Sequence, residues 1–411
     1  MQKSVSSVTF TTQGALRKSA LRHANERLVL NAIRENPQLS RVEISRITGL
    51  SPSSITFIVK RLTKEKLVRE EKVDGATQVG RPPTILQLAS NSRYAIGVDI
   101  SPHGSRVALA DWTGQIHEMQ EVEWNRDPEV VLRALHGAIR NFVSAKSGRR
   151  ILGVGVSVPG TWDTTAQTIT TAVNLGWTDV AVVPLLEKGF DIPLYFDNNA
   201  NLSALGERWF RSLGAKPLED FVFVTLGEGI GTGIIVSGHV LHGAFGRAGE
   251  FGHMTLHPSG RYCLCGNRGC WEEYASERAL LRSYHERTEG IRLSIKDLVE
   301  RARQRDAVAM EVIEEGARSL ALGVSNLIIG LNPEAIVVDS WAADAWDMVE
   351  KSVWTVLRER VPAAWLEGIR IYPSAHARDS SLLGAIALAL TRYFHSFEHG
   401  DREEALTVHM R

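Results

Sequence analysis

Cysteine is nearly absent from this 411-residue chain: there are three, all between positions 263 and 270. An odd number crowded into eight residues excludes a disulfide framework and points to a metal site in a reducing compartment. Long apolar runs are missing too, none approaching the ~18 residues that cross a bilayer, so no membrane partner is expected. The stretch 1–10 is polar and lacks the apolar segment of a secretory signal, and a cytoplasmic protein is the expectation. Overall net charge is also lacking, 47 Lys+Arg against 47 Asp+Glu.

That neutrality hides an asymmetry. Residues 1–93 carry 16 Lys+Arg against 7 Asp+Glu, and the remaining 318 carry 31 against 40. A basic module joined to an acidic body is the pattern expected when only the first part meets a polyanion. The length exceeds one ordinary core, so two or three domains are expected.

Ser40-Arg41-Val42-Glu43 is a capping-box pattern that opens a helix carrying Ile44, Ile47 and Leu50, with Gly49 available for the turn. Ser51 caps a second helix with Pro52 at its first position. Its buried stripe is Ile55, Ile58, Val59 and Leu62, which leaves Ser53, Ser54, Thr56, Phe57 and Lys60 facing outward. A supporting helix over 25–36 contributes Leu28, Leu30 and Ile33. After a polar stretch, Val79-Gly80-Arg81-Pro82-Pro83 and then Ile85, Leu86 and Leu88 suggest a hairpin wing with an Arg at its tip. The expectation is a winged helix-turn-helix that meets double-stranded operator DNA through Ser51, Ser53, Ser54, Thr56, Lys60 and Arg81.

From Tyr94 the texture becomes strands over 95–100, 105–110 and 115–122, an amphipathic helix over 128–143, and a buried strand over 151–158. A second pass begins at 221–226 and 231–236. Duplicated α/β lobes around a cleft follow from that order.

His253, Cys263, Cys265 and Cys270 supply one nitrogen and three sulfurs, a set suited to tetrahedral, structural Zn²⁺ with no position left for a reactive water.

Leu226-Gly227-Glu228-Gly229-Ile230-Gly231-Thr232-Gly233, Gly249-Glu250, Gly252-His253, and Cys263 to Glu272 resemble the signature of the ROK family of sugar kinases and repressors. Asn174-Leu175-Gly176-Trp177 and the block 200–207 extend the likeness, which covers 20–395. The fold class implied is α/β, a winged helix-turn-helix (1–93) followed by a two-lobed, actin-like sugar-kinase body. Its lobes would span 94–205 and 206–395, with a C-terminal helix returning to the first lobe and a tail over 396–411. By the same resemblance Asn174, Asn198, Asn199, Glu250, His253 and Glu272 line a sugar site, and His253 both binds zinc and faces the sugar. The family's kinases carry a catalytic Asp where this chain has Asn199, an amide that can hydrogen-bond a hydroxyl and cannot take its proton. Two nucleotide loops also depart from the pattern: Ser101-Pro102-His103 replaces glycines, and Asp339-Ser340-Trp341 follows the strand 335–338.

These features imply a sugar-responsive, homo-oligomeric repressor, dimer or tetramer, without kinase activity. An active sugar kinase with an appended DNA-binding module, and a regulator answering to a protein partner, are the competing readings.

Overall fold

The computed structural model describes residues 18–36, 38–72, 84–144, 149–163, 168–210, 218–376 and 378–395. It separates into two units, residues 1–89 with 394–411, and residues 90–393. No helix among the described residues is long and apolar enough to cross a membrane.

The first unit begins with α1 (Lys18–Glu35), α2 (Arg41–Thr48) and α3 (Pro52–Lys64). The Ser40–Glu43 capping box closes reciprocally, and Gly49 ends α2 in the left-handed region at φ 69°. Ser51 caps α3 by accepting from Ser54 N at 3.2 Å, with Pro52 just inside. Strands β1 (Val68–Lys72) and β2 (Thr84–Leu88) pair antiparallel, Val68 opposite Leu88 and Lys72 opposite Thr84, which makes the hairpin of a wing. Residues 73–83, including Arg81, lie outside the described residues.

Two details differ from the sequence reading. Leu28 is 44% exposed while Val29 is fully buried, so the inner stripe of α1 is Val29, Leu30 and Ile33. Position 28 lies ~100° round the helix from 29, which turns it away once 29 and 33 share the core face. Ile47 is likewise exposed, because α2 has only eight residues and buries Ile44 alone.

In the second unit β3 (Tyr94–Asp99), β4 (Ser105–Asp111), β5 (Ile116–Val122), β6 (Ile151–Val158) and β10 (Leu194–Asn198) form one sheet in the order β10-β6-β3-β4-β5. Helix α4 (Pro128–Ser144) lays Val131, Leu135 and Ile139 on it. A small sheet of β7 (Thr161–Asp163), β8 (Thr168–Ala172) and β9 (Trp177–Ala181), and then α5 (Val182–Leu186), lie between β6 and β10 in sequence. Helix α6 (Asn199–Phe210) follows β10 directly.

The second sheet repeats the plan. Strands β11 (Phe221–Thr225), β12 (Gly231–Val236), β13 (His239–Val240), β14 (Ala335–Val338) and β15 (Arg370–Pro373) run in the order β13-β12-β11-β14-β15. In each sheet the first strand pairs antiparallel with the second and parallel with the fourth, and the fourth pairs parallel with the fifth. Identical order and direction make the two lobes a structural duplication, the actin-like plan. Between β13 and β14 come α7 (Glu272–Ala275), α8 (Glu277–Arg287), α9 (Ile295–Arg303) and the long α10 (Ala307–Leu331). Helices α11 (Ser340–Asp344), α12 (Trp346–Arg360) and α13 (Ala363–Leu366) precede β15, and α14 (Ser380–His395) closes the chain.

Candidate functional site

A cleft of about 1070 Å³ is lined by both sheets' loops, and Asn174, Asn198, Asn199, Glu250, His253 and Glu272 all reach it. Those six positions span nearly a hundred residues of sequence. The cleft volume is large for one bound small molecule.

On the first lobe, β10 ends and α6 begins without a loop, which thrusts Asn198 and Asn199 into the cleft. The Asn198 amide is half committed: it donates to Gly160 O and accepts from Ala200 N, each at 2.8 Å. Among the described residues the Asn199 side chain has no hydrogen-bonding partner of its own. Asp197 is engaged throughout. One oxygen accepts from Asn198 N and Asn201 Nδ2 at 2.7 and 3.0 Å, and the other lies 2.7 Å from His242 Nε2.

On the second lobe a short 3₁₀ turn over Glu250–His253 places those two side chains one above the other. Burial raises the Glu250 carboxyl above its ordinary value, with Glu272 nearby adding to the rise. Glu272 opens α7 beneath them, and its Oε2 would lie 2.7 Å from a Cβ built on Gly229. The absence of a side chain at 229 thus lets this carboxylate come up against the glycine loop.

Behind the turn, His253, Cys263, Cys265 and Cys270 offer four ligand atoms all within 4.8 Å of one another. Cys263 Sγ lies 3.7 Å from His253 Nδ1, and Cys265 Sγ lies 3.7 Å from Cys270 Sγ. An edge of that length is about what a tetrahedron of ligands at ~2.0–2.3 Å requires, so the set fits a metal ion. Burial pushes the Cys270 thiol up to about 11, and the Cys263 thiol, which also donates to Glu272 Oε1 at 2.9 Å, is raised as well. Buried thiols of this kind remain protonated unless a cation compensates the charge. With Nδ1 turned to the sulfurs, the other ring nitrogen of His253 stands 3.9 Å from Glu250 Oε2 on the cleft side.

The remaining end of the cleft lies between the turn 99–104 and the loop 227–231. Here His103 Nε2 sits 3.2 Å from Glu228 Oε1, and burial pushes Glu277 to about 7. Asp339, also raised to about 7 by burial, caps α11 through Ser340 N. Ser340 holds φ 57°, a left-handed conformation that glycine adopts without strain. Trp341 departs from the sequence reading. It does not reach the cleft but is fully buried, its indole donating to Ala275 O at 2.8 Å within the core of the second lobe.

The sequence marked His103 only as a departure in a nucleotide loop and gave no sign of His242; each is paired with a carboxylate across the two lobes. The hydrogen bond that His103 donates to Glu228 raises the imidazole, aided by the charges of Glu228 and Glu277 and opposed by burial. Asp197 raises His242 in the same way, against burial and Arg392. Glu228 is lowered by His103, with Arg278 assisting. Raised imidazoles contribute stability that is complete below their ordinary 6.5 and lost as pH climbs through the folded value. The lowered Glu228 contributes above 4.5 and is lost as pH falls. Melting of the native chain should therefore decline on the alkaline side more steeply than that of a His103→Gln/His242→Gln variant; parallel curves from pH 6 to 9 would remove this role.

In the first unit, Ser53, Thr56 and Lys60 are exposed on α3, and Ser54 is half-buried. Ser51 spends its hydroxyl on the cap, and Thr56 donates to Pro52 O at 2.9 Å.

Comparison with known proteins accords with this architecture. Residues 95–392 match the ROK family, and residues 22–69 match a winged helix-turn-helix DNA-binding family. The xylose repressor of Bacillus spizizenii is 30% identical over 377 residues, covering 91% of this chain and 96% of that protein. A solved ROK family transcriptional regulator, a homologue of the E. coli MLC protein, superposes with a TM-score of 0.75 at 24% identity, over 92% of this chain and 98% of its own. A ROK family glucokinase from Streptomyces griseus, solved with glucose and AMPPNP, is 30% identical with a TM-score of 0.64. It covers 99% of its own length and 72% of this chain.

Proposed function

The chain belongs to the ROK family, and from that premise we propose a sugar-responsive repressor of carbohydrate-utilisation genes, built on a kinase body that does not transfer phosphate. The observation that carries this reading is the extent of the likeness. The xylose repressor matches across nine-tenths of the chain, whereas the glucokinase leaves more than a quarter of it unmatched.

The ligand is a monosaccharide held in the cleft by Glu250, His253 and Glu272 from the second lobe and by Asn174, Asn198 and Asn199 from the first. Such a site discriminates hydroxyl stereochemistry, because a buried polar group left unpaired costs ~1–3 kcal/mol. A structural Zn²⁺ on Cys263, Cys265, Cys270 and His253 Nδ1 holds the histidine in place. The DNA-facing residues are Ser53, Ser54, Thr56 and Lys60 of α3, with Ser51 at its N-terminus and Arg81, which falls between β1 and β2 in sequence. A homodimer in the cytoplasm sets two such helices in successive major grooves, ~34 Å apart. Swinging such a switch from 1:99 to 99:1 takes ~5.5 kcal/mol of sugar preference for one state.

Fluorescence anisotropy on the DNA upstream of the gene, with a sugar panel headed by xylose, tests the reading. Tight, salt-sensitive binding shifted by one sugar supports it, and binding indifferent to every sugar sinks the sugar-sensing half.

The glucokinase likeness and the intact 227–233 loop favour one second reading, an active kinase. Phosphoryl transfer rests on positioning and charge. The unprotonatable Asn199 and the acidic Glu228, Glu277 and Asp339 at the nucleotide end both work against it. A coupled ATPase assay should give no sugar-dependent turnover. Rates in the ordinary kinase range of ~1–100 per second would reverse the assignment.

A further inference from the structure

We infer that Phe57 reads the C5-methyl group of a thymine in each half of the operator, a deepening that rests on the DNA-binding reading above. Helix α3 buries Ile55, Ile58, Val59 and Leu62, and these join Val29, Leu30, Ile33, Ile44 and Leu86 in the core of the first unit. Phe57 takes no part in that core and stands 63% exposed. It is the largest side chain on the outward face of α3 and the most apolar. Its neighbours on that face are Ser53 one turn before it and Lys60 one turn after it, both exposed. At 1.5 Å per residue the ring lies ~6 Å beyond Ser53 and ~4.5 Å short of Lys60 along the axis, a step of one to two base pairs.

Charge complementarity decides the occupant. Lys60 and Lys64 follow the ring at i+3 and i+7 on the same face of α3, both exposed, in a segment with 16 basic and 7 acidic residues over 1–93. A polyanion is what such a face attracts, and the major groove offers one apolar feature on its base edges, the thymine methyl. Ser53 and Lys60 supply hydrogen bonds on either side, and the ring supplies the apolar contact between them. A polar–apolar–polar stripe of this kind selects a base pair by its methyl group, where a wholly polar stripe would favour guanine or adenine edges.

The test uses full-length protein. Bound duplexes are first selected from a random pool. Each thymine of the selected site is then replaced in turn by deoxyuridine, which removes only the methyl group, and affinities are measured by anisotropy for the native chain and for Phe57→Ala. At one thymine per half-site the native chain should lose about fourfold, the worth of one buried methyl. Phe57→Ala should bind the thymine duplex more weakly and show no deoxyuridine penalty there, with unchanged melting because the ring is exposed. A native chain indifferent to every replacement, or a variant that keeps the native penalty, overturns the assignment of Phe57 alone. So does a variant whose only change is its mass in solution, which would make the ring a contact between copies. Failure to select any duplex defeats the DNA-binding reading itself, and this inference with it.

Discussion

On the proposed reading, Cys270→Ser is expected to abolish zinc binding and the sugar response in one step. The segment 255–270 has few apolar anchors of its own: Tyr262 and Leu264 are exposed, Leu256 is only partly buried against the second-lobe core that Trp271 joins, and backbone bonds such as Leu256 N to Gly269 O and Cys263 N to Asn267 O link its turns. Four ligand atoms drawn to one point supply what an apolar core supplies elsewhere. His253 is the link to the cleft. One ring nitrogen faces Cys263 at 3.7 Å, the other faces Glu250 at 3.9 Å, and Glu272 touches both Cys263 and the glycine loop. Freeing the sulfurs therefore frees two of the three second-lobe side chains that would meet the sugar. The native chain should carry one equivalent of zinc by elemental analysis, and Cys270→Ser none. Even ~2 kcal/mol of lost stability would lower melting by about 3 °C in a unit of this size. Calorimetric titration should find no sugar binding, while operator affinity is retained. A variant with a full equivalent of metal, or with native sugar affinity, would separate the cluster from the ligand site.

What could be read from the residues divides by the range of the forces involved. The caps at Ser40 and Ser51 and the turn at Gly49 rest on contacts within a few positions, and the structure forms them as written. The opening strands of each lobe and helix α4 were legible from alternation and helical spacing, and the structure forms them. The cysteines announced a cluster because all three lie within eight residues and His253 is ten positions away. Contacts across the lobes carry no such local mark. Nothing near His103 in sequence points to Glu228, and nothing near His242 points to Asp197, since each pair exists only once two sheets face each other. Side-chain direction was equally hidden. Trp341 follows a cleft loop yet turns into the core, and Asn198 spends half its amide on Gly160 and Ala200 before any ligand arrives. Short helices misled for a further reason: with only eight residues, α2 buries one side chain and leaves Ile47 in water.

Gly155→Ala should be among the most damaging single substitutions outside the cleft. Gly155 on β6 stands in register with Gly97 on β3, and together they form a floor on which α14 rests. A Cβ at 155 would lie 1.8 Å from Ala385 O, and one at 97 would lie 2.9 Å from Leu382 O. Both obstacles are helix backbone, so no rotamer change relieves them. The helix would have to lift, and the far side of α14 prevents that. There Gly384 meets α6 so closely that its own Cβ would fall 1.8 Å from Leu202 O, and Gly206 answers it from α6 at 2.8 Å from Gly384 N. Helix α6 is in turn pressed on β12, where Gly233 approaches Ala200 O to 2.1 Å for a built Cβ. The first sheet, α14, α6 and the second sheet thus make a stack spaced by glycines, with Asn199 at the head of α6. Overpacking by one methyl ordinarily costs ~1–3 kcal/mol, and a clash with backbone on a stack that cannot expand belongs at or above the top of that range. Chemical denaturation should show a lowered midpoint for Gly155→Ala. Sugar affinity should fall as well, because displacement of α14 is passed to α6 and so to Asn198 and Asn199. Gly330→Ala, on α10 with nothing within 4 Å of the added methyl, is the control that should keep native sugar affinity and leave the midpoint equal or slightly raised. Equal midpoints for the two variants would mean that α14 is free to move off its floor, and the coupling from the glycine stack to the cleft would fall with it.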